Sequence, residues 1–215
     1  MLAGRELAEG AAELGLALDS RQIDQLLRFA ELLQRWNRVH NLTAIEPGQT
    51  LSHHLLDSLS VAAPIAARLA AKPSSRLLDV GAGGGLPGIP LAIARPELQV
   101  TLLDKVQKKV AFVRQAQVEL RLANVDVVHA RVEDYRATPF DLIVARAFAS
   151  LADLVRLTRH LIRRDGCWSA MKGNLPQAEI EELLRAQPGV RIAQVVKLRV
   201  PRLDAERHLI LIEPC

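Results

Sequence analysis

"LLDVGAGGGLPGIP", residues 77–90, sets five glycines and one aspartate between a short apolar run and the start of a helical pattern. A strand, a tight glycine-rich turn and a helix start open a βαβ unit, where bare backbone and unpaired helix N–H groups lie accessible to a ligand. A phosphate-clamping P-loop is set aside, because Ile89 and Pro90 stand where Lys and Ser/Thr are required. A dinucleotide loop stays open: Gly83, Gly85 and Gly88 satisfy G-x-G-x-x-G, and Asp104 lies at a distance suited to a ribose. Asp79 argues for another ligand. Its carboxylate repels a pyrophosphate but attracts a cationic α-amino group. S-adenosylmethionine carries such an amino group, a sulfonium, a ribose diol and an adenine, and no phosphate. In that reading Asp79, Gly81, Gly83 and Gly85 pass under its methionine part, and Asp104, closing the next strand, accepts from the ribose hydroxyls. The alternative is that each aspartate merely caps the helix after it.

Beyond this loop, apolar runs alternate with amphipathic stretches. "RLLDV", "QVTLLD", "VDVVHA", "FDLIVA" and "GCWSAMK" are each followed by a helical pattern. Five such units predict an α/β protein with a parallel sheet covered on both faces. After the helix "PQAEIEELLRAQ", the runs "RIAQVVKLRV" and "RHLILIEP" flank a short loop with Pro201 and Asp204, which predicts antiparallel neighbours. The first third reads as helical. Asp19 or Ser20 caps a helix whose buried face is Ile23, Leu26, Leu27, Ala30 and Leu33, and a second helix is expected from about Thr50 to Ala71 despite Pro64. "KPSS" at 72–75 is the expected linker, dividing a helical extension (1–72) from the α/β domain (73–215).

At 215 residues, 49% hydrophobic and 24% charged, the chain has the composition of a folded globular protein rather than a disordered one. It has no run of 18 apolar residues, and four charges interrupt "MLAGRELAEGAAELG" where a signal peptide needs an apolar segment, so the expected location is cytoplasmic, with no membrane partner. Cys167 and Cys215 have no C-x-x-C spacing, so neither redox chemistry nor a metal is expected. Net charge is +4, all of it from residues after 72, a hint of a polyanionic partner.

"LLDVGAGGGLPGIPLAIARPE", "VTLLDKVQKKVAFV", "ARVEDY", "VARAFASL", "MKG" and "ERHLILIE", in this order after "NLTAI" and "HLLDSL", resemble the glucose-inhibited division protein B family over nearly the whole chain. The resemblance implies a class I S-adenosylmethionine-dependent methyltransferase fold. This is a Rossmann-like, seven-stranded, mostly parallel sheet with the last strand antiparallel, plus an N-terminal helical extension. It also implies methylation of nitrogen 7 of a guanosine, at position 527 of 16S ribosomal RNA, within the small ribosomal subunit or an assembly intermediate. Carried over by position, it implies cofactor contacts at Gly81, Leu86, Val132, Glu133 and Arg146. Gly81 gives access, Leu86 supplies apolar cover, Val132 and Glu133 frame the adenine, and Arg146 reaches cofactor or base, unless it pairs with Glu133 or Asp141.

Nitrogen 7 of guanine has an in-plane lone pair and no proton, so no general base is needed, and no catalytic side chain is assigned. The chain has no Pro-Cys nucleophile and no Asp/Asn-Pro-Pro-aromatic loop after "FDLIVA". For the target base, Phe148 is the candidate stacking ring and Lys172 the candidate donor; Arg202, Arg207, Arg159, Arg163 and Arg164 are candidate phosphate grips. His53 and His54 are expected to point in different directions from an α-helix, and Lys105, Lys108 and Lys109 to form a solvated face. Two other functions stay in view: methylation of a small molecule or protein, and an NAD(P)-binding oxidoreductase or sensor. Against the latter, the single tyrosine, in "YRATP", offers no Tyr-x-x-x-Lys pair.

Overall fold

A computed structural model describes residues 2–42, 47–69 and 75–215. The expected linker and boundary near residue 72 fall outside the described residues except for Ser75, as do residues 43–45 of "NLTAI".

Seven strands form one sheet: β1 (Arg76–Val80), β2 (Gln99–Asp104), β3 (Val125–His129), β4 (Phe140–Arg146), β5 (Ile162–Lys172), β6 (Val190–Leu198) and β7 (Arg207–Pro214). Their order is β3-β2-β1-β4-β5-β7-β6. The first five pair in parallel, while β7 runs antiparallel to both β5 and β6. The switch from β1 to β4 makes β1 the turning point of the sheet, and the crevice beyond its carboxyl end is where open α/β sheets take ligands. Because β7 is reversed, Arg207 at its start reaches the same edge as Lys172 at the end of β5, where Lys172 faces His208 across the ladder.

Alternation along β1 sends Leu77 to one face and Leu78 and Val80 to the other. The first face is covered by α1 (Leu2–Glu13), α2 (Ser20–His40), α4 (Ala62–Leu69), α5 (Gly88–Ala94) and α6 (Gln107–Glu119), in one continuous apolar cluster with β1, β2 and β4. The second carries α7 (Leu151–Thr158) and α8 (Gln177–Ala186), packed around the fully buried Trp168. The N-terminal helices thus share the sheet's own core. Asp19 caps α2 in a full capping box with Gln22. Gln22 also donates to the carbonyls of Ile93 and Ala94, and Gln25 to that of Leu120, which seats α2 across the ends of α5 and α6.

The helix expected from Thr50 to Ala71 is instead three pieces. A π-helical turn, Leu51–Leu56, runs into a single α-turn, α3 (Asp57–Leu59), and α4 begins afresh at Ala62. Pro64 accounts for the second break. It lies in the first turn of α4, where its missing N–H has no intrahelical partner to lose.

Candidate active site: two clefts at the carboxyl edge of the sheet

The glycine loop leaves β1 with Gly81, Gly83 and Gly85 all at positive φ, a region open to glycine at little cost. At Gly81 the requirement is also spatial, since a Cβ there would lie 2.5 Å from the Phe148 ring. Asp104 ties this loop down from β2. One carboxylate oxygen accepts from Gly83 N–H at 2.9 Å and the other from Val106 N–H at 2.8 Å. Each oxygen keeps a second lone pair for a ligand, and Asp104 lines the adjoining cleft.

That first cleft holds about 310 Å³, within the range of small-molecule sites, with Gly81, Asp104, Val132, Glu133, Ala147 and Phe148 among its walls. A hydrogen bond from its own backbone, and then the charges of Arg131 and Lys105, hold the Glu133 carboxyl below its ordinary value, so at neutral pH it is an acceptor. Lys105 and Lys109, expected on a solvated face, also line this cleft.

Asp79 is not in the cleft wall. It is fully buried behind the loop, and one of its oxygens accepts from Gly88 N–H at 2.8 Å, while the other has no hydrogen-bond partner among the described residues. The capping alternative therefore describes its contact in this structure, at the start of α5. Burial, opposed by Gly88 N–H and Arg146, pushes its carboxyl up to about 7. The consequence for ligand choice is the same as that of the charge argument. The helix start that would cradle a pyrophosphate is filled by a carboxyl group of the protein itself. Gly83, Gly85 and Leu86 are likewise not among the walls of this cleft, and Leu86 is in the core.

A second cleft, of about 520 Å³, meets the first at Ala147 and is lined by His53, His54, Asp57, Arg146, Lys172 and Arg207 together with Ala147. Ala147 has φ +52, a conformation that costs a residue with a Cβ. Neither Glu133 nor Asp141 is the partner of Arg146. Its Nη1 donates to Asp57 at 3.1 Å and to the His53 carbonyl at 3.2 Å. Arg207 Nε reaches the other oxygen of the same carboxylate at 2.8 Å. Lys172 bonds both oxygens of Glu179, at 2.8 and 3.1 Å, and the Ala149 carbonyl. Glu179 also accepts from Leu151 N–H, so this pair braces the loop that carries Phe148.

His53 and His54 both line this cleft, and His53 meets Arg146 there through its backbone carbonyl. Burial and the charge of Arg146 push the His54 imidazole down to about 4, so it is neutral at pH 7. Asp57 was not among the candidates: its pairing joins residues 89 and 150 positions apart, which no local spacing discloses.

Arg202 lies elsewhere, donating to the Glu6 carbonyl and Glu9 of α1. Arg159 reaches the Gly189 carbonyl, and Arg163 pairs with Asp141 and Asp165. With the exposed Arg164, they sit at the amino end of β5, across the sheet from both clefts. Cys167 is buried, its thiol pushed up to about 11 mainly by burial. Among the described residues, no three His, Cys, Asp or Glu side chains gather where a metal ion would sit, and no helix is long and apolar enough to cross a membrane.

The family model for GidB, described as rRNA small subunit methyltransferase G, matches residues 22–210. The chain is 53% identical over 209 residues to a ribosomal RNA small subunit methyltransferase G of Leptothrix cholodnii, covering 97% of this chain and 94% of the relative. A protein of that name from Burkholderia thailandensis is also 53% identical, covering 96% and 90%. Among solved structures, a SAM dependent methyltransferase from Aquifex aeolicus superposes with TM-score 0.55 at 15% identity, covering 84% of this chain and 97% of that one. A ribosomal protein L11 methylase from Lactobacillus delbrueckii subsp. bulgaricus gives TM-score 0.56 at 20% identity, covering 81% and 82%. The last two show the fold: a class I methyltransferase sheet with its reversed strand inserted before the edge. The family model and the near full-length relatives show that the chain belongs to the GidB family of small-subunit ribosomal RNA methyltransferases.

Proposed function

We propose that this chain transfers the methyl group of S-adenosylmethionine to nitrogen 7 of a guanosine in 16S ribosomal RNA, position 527 by family, with the cofactor in the first cleft and the target base in the second. The observation that carries the reading is the junction of the two clefts at Ala147, which sets the cleft of Asp104 and Glu133 edge to edge with that of Arg146 and Arg207.

The residues present fit the cofactor. Gly81 brings bare backbone to the wall beside the methionine part, Asp104 offers acceptors to the ribose diol, and Val132 with Glu133 faces the adenine and its exocyclic amine. When bound, S-adenosylmethionine supplies an electrophilic methyl on a sulfonium. The protein's task is then positioning and exclusion of water, since the nucleophile needs no deprotonation. Arg146 and Arg207 offer donors to the oxygen 6 edge or to flanking phosphates, and Phe148, next in sequence to the shared Ala147, is an apolar wall of the first cleft. Reaching a base in folded RNA requires turning it out of its stack, and the breadth of the second cleft suits that arrangement. The substrate is the small subunit or an assembly intermediate.

Titration calorimetry with S-adenosylmethionine, S-adenosylhomocysteine, NAD and NADP is expected to show binding of the adenosyl ligands alone; NAD binding without them would overturn the cofactor. Labelled S-adenosylmethionine, offered to small subunits lacking this methyl group, to bare ribosomal RNA and to a metabolite extract, is expected to label RNA at guanine nitrogen 7. Label confined to metabolites would overturn the substrate.

A further inference from the structure

We infer that Asp57 is a positioning residue for the RNA half of this site: a buried carboxylate, delivered by the π-turn, that fixes Arg146 and Arg207 as a pair on the wall of the second cleft. The inference rests on the reading of that cleft as the target-base site.

Three observations carry it. Asp57 is 3% exposed, and each of its two oxygens is taken by a different guanidinium, from the end of β4 and the start of β7. These arginines are like charges on one cleft, and without a shared counter-charge they repel and turn outward to water. A guanidinium has five N–H donors, so each arginine held this way keeps donors to present to a ligand. Second, the carboxylate comes from outside the sheet. The π-turn ends where α3 starts, and the Asp57 N–H bonds to the carbonyls of Ser52 and His54, so the wide turn itself sets where the side chain emerges. Third, the backbone of the turn joins in, since the His53 carbonyl accepts from Arg146 Nη1. An ordinary structural ion pair needs one cation. Here one anion is placed so that two cations lie at the mouth of a cleft. The N-terminal segment is thereby part of the substrate site, not a cover on the sheet.

The test compares Asp57→Asn, Arg207→Gln and the double variant, in the full chain. 5′-Methylthioadenosine, which lacks the amino-acid end of the cofactor, reports on the first cleft alone, and transfer to undermethylated small subunits reports on the pair. Methylthioadenosine affinity is expected to stay within about two-fold of the parent in all three. Transfer kcat/KM is expected to fall at least ~30-fold in each single variant and no further in the double, because both changes break one unit. Arg207→Gln alters a partly exposed side chain and keeps the test valid even if Asp57→Asn folds poorly. Multiplied losses in the double variant would overturn the inference, as would parental transfer by Asp57→Asn or loss of methylthioadenosine binding in step with transfer. A parent protein that methylates no RNA would instead sink the functional reading on which this rests.

Discussion

Asp79 and Asp104 lie near the carboxyl ends of neighbouring strands and differ in what surrounds their oxygens. Asp104 sits at the cleft with both oxygens bonded to backbone and lone pairs to spare, so Asp104→Ala removes a ligand acceptor and a tether of the glycine loop together. Hydrogen bonds to a charged group contribute about 1.5–3 kcal/mol each, so the affinity for S-adenosylmethionine should fall roughly 10- to 100-fold by calorimetry. Lys172→Ala, in the second cleft, should leave that affinity within about three-fold while slowing transfer to RNA; equal cofactor losses in the two variants would contradict the division into clefts. Asp79 calls for a different measurement. Its carboxyl is raised from 3.8 to about 7 by burial, so the folded state binds its proton more tightly than the unfolded chain does. The associated stability is complete below pH ~4 and is lost as pH rises through about 7. The amide introduced by Asp79→Asn has no such proton to lose, so the variant should gain on the parent between pH 4 and pH 8, by at most about 4 kcal/mol. Urea unfolding at both pH values checks this, and a difference independent of pH would show that Asp79 is solvated.

The elements differ in how far they depend on contacts distant in sequence, and so in how far they can be altered. α1 is held by the Leu56 methyl groups, so close to Gly10 that a Cβ there would lie 2.8 Å from them, and by the bonds of Arg202 to Glu6 and Glu9. The Arg202–Glu9 pair is more than a third exposed on both sides, so solvent screens it; Arg202→Ala should cost at most about 1 kcal/mol in thermal unfolding and leave transfer within about two-fold. Arg207→Ala should reduce transfer at least ~30-fold, as Arg207→Gln does, because it opens the Asp57 clamp. The parallel strands and α2 were legible in the sequence because short continuous apolar runs, an N-cap residue and a 3.6-residue stripe are local signals. So was the glycine loop, whose conformation is set within a few residues. The division at 51–62 was not, since a π-turn has no composition of its own and Pro64 fits the first turn of a new helix as well as a kink in an old one. Nor was Asp57 legible, or the placement of Arg202 away from the clefts: both follow from which distant element packs alongside, and basic residues look alike until the fold assigns them partners.

At the scale of the whole molecule, charge is sorted between the two clefts and the remaining surface. Residues 1–72 carry one more acid than base, and the rest an excess of five bases, which gives the net +4. Lys105, Lys109 and Arg131 stand at the first cleft, and Arg146, Lys172 and Arg207 at the second, while Arg159, Arg163 and Arg164 lie at the far end of β5. Small net charge with local concentration predicts modest non-specific affinity for nucleic acid and a salt response confined to the RNA step. Each phosphate neutralised contributes about −0.7 to the slope of log affinity against log salt for single-stranded nucleic acid. With about three basic side chains touching phosphate, the slope is about −2, or a loss of roughly 15-fold between 50 and 200 mM salt. Cofactor binding faces a mixed set in which Asp104 and Glu133 offset the lysines, and its affinity should change less than two-fold over that range. Filter binding of small subunits and calorimetry of S-adenosylmethionine, both run as salt series, separate the two. If cofactor affinity fell as steeply as RNA affinity, the basic groups of the first cleft would belong to an anionic ligand, and the assignment of S-adenosylmethionine to it would have to give way.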